Sequence, residues 1–91
     1  MAQRTVLVRY HGAVQGVGFR ATARRIAQDF NIRGWVKNEP DKTVSLIATA
    51  ESADLDLFLA AVRASRLGPL IEREVIESAI AVAHMGFGIQ R

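Results

Sequence analysis

The sequence predicts an α+β fold in which an antiparallel sheet carries two helices on one face, in the order β-α-β-β-α-β. Three observations carry that prediction. The chain has 91 residues, enough for one compact core and too few for two catalytic domains or a repeat array. Hydrophobic residues make up 49% and charged residues 23%, the balance of a globular chain rather than a disordered one. The hydrophobic period switches along the chain between two residues and about 3.6, with turn-forming residues near each switch.

Taken in order, Thr5 to Tyr10 reads T-V-L-V-R-Y, with Val6, Val8 and Tyr10 on one face and Leu7 and Arg9 on the other, as in a first strand. Gly12 to Phe19 carries glycines at 12, 16 and 18 and reads as a loop. From Arg20 the period lengthens: Ala23, Ile26, Ala27 and Phe30 share one helical face, and Asn31 suits a left-handed position at the helix end. Arg33 to Asn38 forms the second strand and Thr43 to Thr49 the third. They are joined through Glu39-Pro40-Asp41-Lys42, where proline presets the turn. Ser52 is expected to cap a second helix that buries Leu55, Phe58, Leu59 and Val62, and Gly68-Pro69 to end it. Ile71 to Val82 reads as a fourth strand with imperfect alternation, and Gly86 to Ile89 as a short last strand. This is the split-βαβ, ferredoxin-like arrangement, a fold that hosts many unrelated functions. No linker or repeat interrupts it, so residues 1–91 are read as a single domain.

Composition removes several classes of function. With no cysteine there is no disulfide framework, no thiolate zinc knuckle and no cysteine nucleophile. No apolar run approaches the ~20 residues of a membrane span. The N-terminal residues lead straight into a strand without the pattern of a signal peptide, so a cytoplasmic protein is expected. Residues 1–45 hold eight basic and three acidic side chains, net +5, whereas residues 46–91 hold four basic and six acidic, net −2. An anionic ligand is therefore sought in the first half.

The segment Gly12-Ala13-Val14-Gln15-Gly16-Val17-Gly18-Phe19-Arg20 lies between a strand and a helix N-terminus. Without a Cβ, Gly16 and Gly18 let consecutive backbone N–H groups turn toward one point, forming an anion nest. The helix adds its unpaired first-turn donors. Arg20 can close the site with a planar guanidinium that matches two phosphate oxygens. Gly16-Val17-Gly18-Phe19-Arg20-Ala21 also fits G-x-G-x-x-G/A, but the dinucleotide fingerprint needs a parallel βαβ unit, and the next strand here enters a hairpin. No Gly-Lys-Ser/Thr follows, which excludes a Walker A loop.

Val14-Gln15-Gly16-Val17-Gly18-Phe19-Arg20, followed by Gly34-Trp35-Val36-Lys37-Asn38 and then by Asp41 and Val44, resembles the acylphosphatase family. The resemblance covers essentially the whole chain and implies hydrolysis of the carboxyl–phosphate bond of small acyl phosphates, with no metal or other cofactor. It implies that Arg20 binds the phosphate and that Asn38, 18 residues later, orients the attacking water. Val14, Gln15, Gly16, Val17, Gly18 and Phe19 become the amide cradle. Three positions depart from the family pattern: Asp41-Lys42 replaces an Asp-Gly turn, Ala21-Thr22-Ala23 replaces an early helical aromatic, and Ala50 replaces a glycine. The expected partner is a small acyl phosphate, with no nucleic acid and no membrane, acting on a monomer.

A second reading is a non-catalytic module that holds a phosphate-bearing ligand or RNA. The strands lack the aromatic RNA-binding signature of this fold, which argues against RNA. The remaining polar and aromatic residues are assigned structural roles. His11 and His84 are read as strand-end and turn residues, Glu39 and Asp41 as solvated hairpin acids, and Arg24 and Arg25 as a solvated helix face. Trp35 is read as core beneath the site, and Ser52 and Ser65 as helix-end residues.

Overall fold

The structure, a computed structural model, describes residues 2–81 and 85–90. Strand β1 (Gln3–Gly12) leads through the glycine loop to helix α1 (Phe19–Ala27). The hairpin β2 (Arg33–Asn38) and β3 (Val44–Glu51) follows, then α2 (Ser52–Ala64), a short 3-10 turn (Gly68–Leu70), β4 (Ile71–Ser78) and β5 (Phe87–Gln90). The five strands form one sheet in the order β4-β1-β3-β2-β5.

Alternation decides which face is buried. Val6, Val8 and Tyr10 of β1 lie opposite Ala48, Leu46 and Val44 of β3, and all six are buried in one core. Val36 of β2 joins them opposite Leu46. Ala23, Ile26 and Ala27 of α1 and Leu55, Phe58, Leu59 and Val62 of α2 complete that core, so both helices cover the same side of the sheet. Thr5, Leu7 and Arg9 alternate onto the other side. β2 and β3 approach so closely that a Cβ on Gly34, whose φ is +141°, would collide with the Ile47 carbonyl.

The expected element order holds, and several boundaries and one pairing differ. β1, β2, β3 and β4 pair antiparallel, as the alternation predicts. β5 runs parallel to β2, with Trp35 opposite Gly88 and Val36 opposite Ile89, so the sheet is mixed rather than wholly antiparallel. β4 ends at Ser78, earlier than the expected Val82, which lies outside the described residues. Asn31 takes the left-handed backbone expected of it, at φ 53°. Ser52 is not the cap of α2: the N-cap is Glu51, and the Ser52 hydroxyl instead accepts from Arg4 Nη1 at 2.9 Å. α2 ends at Ala64, before Gly68-Pro69, because Ser65 turns extended, at ψ 179°. Pro69 then sits inside the 3-10 turn, where its missing N–H costs nothing.

Candidate active site

The loop between β1 and α1 rims a cleft of about 590 Å³. Gly16 and Gly18 both adopt left-handed backbone, at φ 75° and 77°, and Gly18 is also the N-cap of α1. Among the described residues, no protein acceptor takes the backbone N–H groups of residues 14 to 21; the first bond of α1 runs from Thr22 N–H to the Gly18 carbonyl. A run of unpaired donors beside a helix N-terminus is an anion site. Val14, Gly16, Gly18 and Phe19 line the cleft, and Arg20 and Asn38 join them from α1 and β2. Arg20 Nη1 lies 3.5 Å from the Gln90 carbonyl, a long contact that leaves the guanidinium weakly held among the described residues. Asn38 ends β2 opposite Val44, and its side-chain amide has no hydrogen-bond partner among the described residues. Ala21 and Ile89 form the apolar part of the rim.

The cradle is held from below and from the side. The Val14 side chain is fully buried, and the Phe19 ring meets Tyr10 at a centroid distance of 4.9 Å. Gln15 turns away from the cleft: its Nε2 donates at 2.8 Å both to the Glu39 carbonyl and to the Thr43 carbonyl. One side-chain amide thus ties the loop to the two ends of the hairpin turn, one residue past Asn38. Within that turn Asp41 Oδ1 accepts from the Thr43 hydroxyl at 2.6 Å and from the Thr43 N–H at 3.0 Å. Those two bonds, the hydroxyl first, hold the Asp41 carboxyl below its ordinary range. Lys42 takes the left-handed position of the turn, at φ 75°.

The acylphosphatase family model matches residues 6–87, which include the cradle, Arg20 and Asn38. The chain belongs to the acylphosphatase family. The acylphosphatase of Lactobacillus gasseri is 48% identical over 62 residues, covering 68% of each chain. The crystal structure of acylphosphatase from Bacillus subtilis superposes with a TM-score of 0.87 at 26% identity, over 99% of this chain and 100% of that one. Full-length HypF, in its phosphate- and nucleotide-bound form, contains the same fold, with a TM-score of 0.88 at 23% identity over 99% of this chain and 12% of HypF.

In this acylphosphatase-family chain the cleft brings together most, though not all, of the residues singled out in the sequence. Gln15 and Val17 alternate away from it, Gln15 toward the hairpin and Val17 partly into the core. Trp35 does not pack beneath the site. It is half-buried on the face opposite the helices, because Val36 and Asn38 occupy the helix side of β2. His11 pairs with Arg73 on β4 and does not line the cleft. Arg24 and Arg25 are exposed in the last turn of α1, where cations complement the helix dipole. Ser65 is the C-cap of α2, and its hydroxyl donates to the Val62 carbonyl at 2.7 Å. His84 lies outside the described residues. Ile89, which lines the cleft, and Arg66, which bonds the loop from outside it, have no signal in the loop string: both are brought there by tertiary contacts.

Beneath Phe19 the Tyr10 hydroxyl is buried beside the Glu74 carboxylate, and among the described residues neither Tyr10 Oη nor Glu74 Oε2 makes a well-aligned hydrogen bond. Burial first, and the Glu74 charge second, raise the Tyr10 pKa above its ordinary value. Glu74 Oε1 is held by Arg63 Nη1 at 2.9 Å.

Proposed function

We propose that this chain hydrolyses the carboxyl–phosphate bond of small acyl phosphates by in-line attack of water at phosphorus. The P–O bond to the acyl group breaks, a carboxylate leaves and inorganic phosphate forms. The observation that carries this reading is the convergence of Arg20, Asn38 and the unpaired loop amides on one cleft. The Arg20 guanidinium and the N–H groups of residues 14 to 19 hold the equatorial phosphate oxygens and stabilise them as bonding changes. Asn38, whose amide has no partner among the described residues, holds the attacking water. A carboxylate is a good leaving group, and the transition state for phosphoryl transfer is loose, so positioning and charge stabilisation suffice. Among the described residues no carboxylate or imidazole lines the cleft, and in this reading the proton of the water passes to the substrate's own phosphate.

The test is hydrolysis of benzoyl phosphate in EDTA by the wild type and by Arg20→Ala and Asn38→Ala at matched folding. Turnover by the wild type is expected, with each variant losing roughly 10²–10³ or more in kcat, the scale of one lost preorganised donor. An inert wild type, or variants that keep their activity, would overturn the assignment.

A further inference from the structure

A second arginine stands behind the cradle. Arg66 follows the C-cap of α2, and its backbone is pinned on both sides. Ser65 Oγ donates to the Val62 carbonyl and accepts from the Leu67 N–H at 3.1 Å, and Leu67 is fully buried. From that anchor Arg66 Nη2 donates to the Val17 carbonyl at 2.8 Å and to the Thr22 hydroxyl at 3.1 Å. The guanidinium packs so closely on Gly18 that a Cβ there would lie 2.9 Å from Nη2. Arg66 is not among the residues lining the cleft, so any influence on a ligand runs through the backbone it holds.

We propose that Arg66 is a positioning residue of the phosphate cradle, which fixes the Val17–Gly18 peptide so that the Gly18 N–H is presented to the cleft. In a planar trans peptide the carbonyl and the N–H point in opposite directions. A Val17 carbonyl held outward by Arg66 therefore turns the Gly18 N–H inward, and Gly18 lines the cleft. The bond is charge-assisted and so stronger than a neutral one. A carbonyl polarised by a cation also makes the N–H of the same peptide a better donor. The Thr22 contact ties the same guanidinium to the first turn of α1, two residues beyond Arg20, so that loop and helix start are held as one piece. Glycine at 18 meets the demand of the left-handed φ, and the guanidinium lies close over it. The inference rests on the function proposed above, because the ligand it invokes is a phosphoryl group.

The test uses the full chain, wild type and Arg66→Met, Arg66→Lys and Thr22→Val, with two readouts. One is benzoyl phosphate kinetics. The other is the response of the backbone amide resonances to inorganic phosphate. In the wild type, phosphate should move the Gly16 and Gly18 amides. In Arg66→Met the Gly18 response should collapse while that of Gly16 persists, and kcat should fall on the order of tenfold to a hundredfold with KM changed less. Arg66→Lys, which keeps the charge but not the planar fork, should recover only a minor part of that loss. Full recovery by lysine would mean that charge rather than geometry acts, and would overturn the proposal. So would an unchanged Gly18 response with unchanged kcat in Arg66→Met. Should Arg66→Met fail to fold, Thr22→Val decides. A weakened Gly18 response with kcat about two- to fivefold lower supports the brace, and wild-type behaviour rejects it. A wild type that neither turns over benzoyl phosphate nor responds to phosphate at any loop amide would reject the proposed function itself. An active wild type with indifferent variants would reject only the role of Arg66.

Discussion

Gln15 shows how much geometry one side chain can carry. Its two amide hydrogens meet carbonyls at both ends of the hairpin turn, so the cradle and the strand end bearing Asn38 keep a fixed separation. Gln15→Glu keeps the shape but sets carboxylate oxygens against two carbonyls. A stability loss of about 1–3 kcal/mol is expected from the two lost bonds, read as a lower urea midpoint at constant slope. On the role proposed for Asn38, holding the water rather than the phosphate, kcat should fall more than phosphate affinity. Equal losses in both would show that Gln15 shapes the cradle alone. Lys42 is a smaller matter of the same kind. A non-glycine residue at φ 75° carries strain of order 1–3 kcal/mol, partly offset by the smaller unfolded-state entropy of lysine relative to glycine. Lys42→Gly should therefore raise stability by about 0.5–1 kcal/mol, seen as a melting temperature higher by a few degrees, with the Asp41–Thr43 bonds retained.

At the scale of elements, what could be read in the sequence depended on how local the cause was. β2 is bounded correctly because Asn31 before it and Pro40 after it are turn residues with fixed backbone demands. The cradle is legible because glycine spacing, the helix start and Arg20 all lie within nine consecutive residues. Trp35 was misplaced because its size suggests core. Its alternation with Val36 and Asn38 carried the correct face, since neighbours in a strand point to opposite sides. The parallel pairing of β5 has no local signal, as four residues fix neither direction nor partner. Arg66 was invisible for the same reason, because its bond partner Val17 lies 49 residues away in sequence. The end of α2 at Ala64 rather than at the Gly68-Pro69 break shows that a helix can stop before its strongest breaker, at a serine whose hydroxyl bonds back to the last turn.

For the whole molecule, Tyr10 ties the core to pH. Its folded pKa is raised, chiefly by burial, above an unfolded value near 10. As pH climbs past about 10 the unfolded chain releases the phenolic proton while the folded chain retains it, so stability is full below that pH and declines above it. Tyr10→Phe should flatten the alkaline limb of a stability profile. At neutral pH its cost should stay within that of one hydrogen bond, about 0.5–1.5 kcal/mol, since the hydroxyl it removes lies beside the Glu74 carboxylate. An alkaline limb identical in the two proteins would show that other groups govern it. The sheet order has a consequence of a different kind, for the time the chain takes to find its structure. Only β2 and β3 are neighbours both in sequence and in the sheet; β1 must await β3 and β4, and β2 must await β5. Each of those pairings closes a long loop before any sheet contact rewards it, and domains built this way fold on the order of milliseconds to seconds rather than microseconds. Until β1 is enclosed, the strand of β3 that is buried along nearly its whole length stands open on one edge. The early chain therefore has its greatest exposure to aggregation at the strand that later lies at the centre of the sheet.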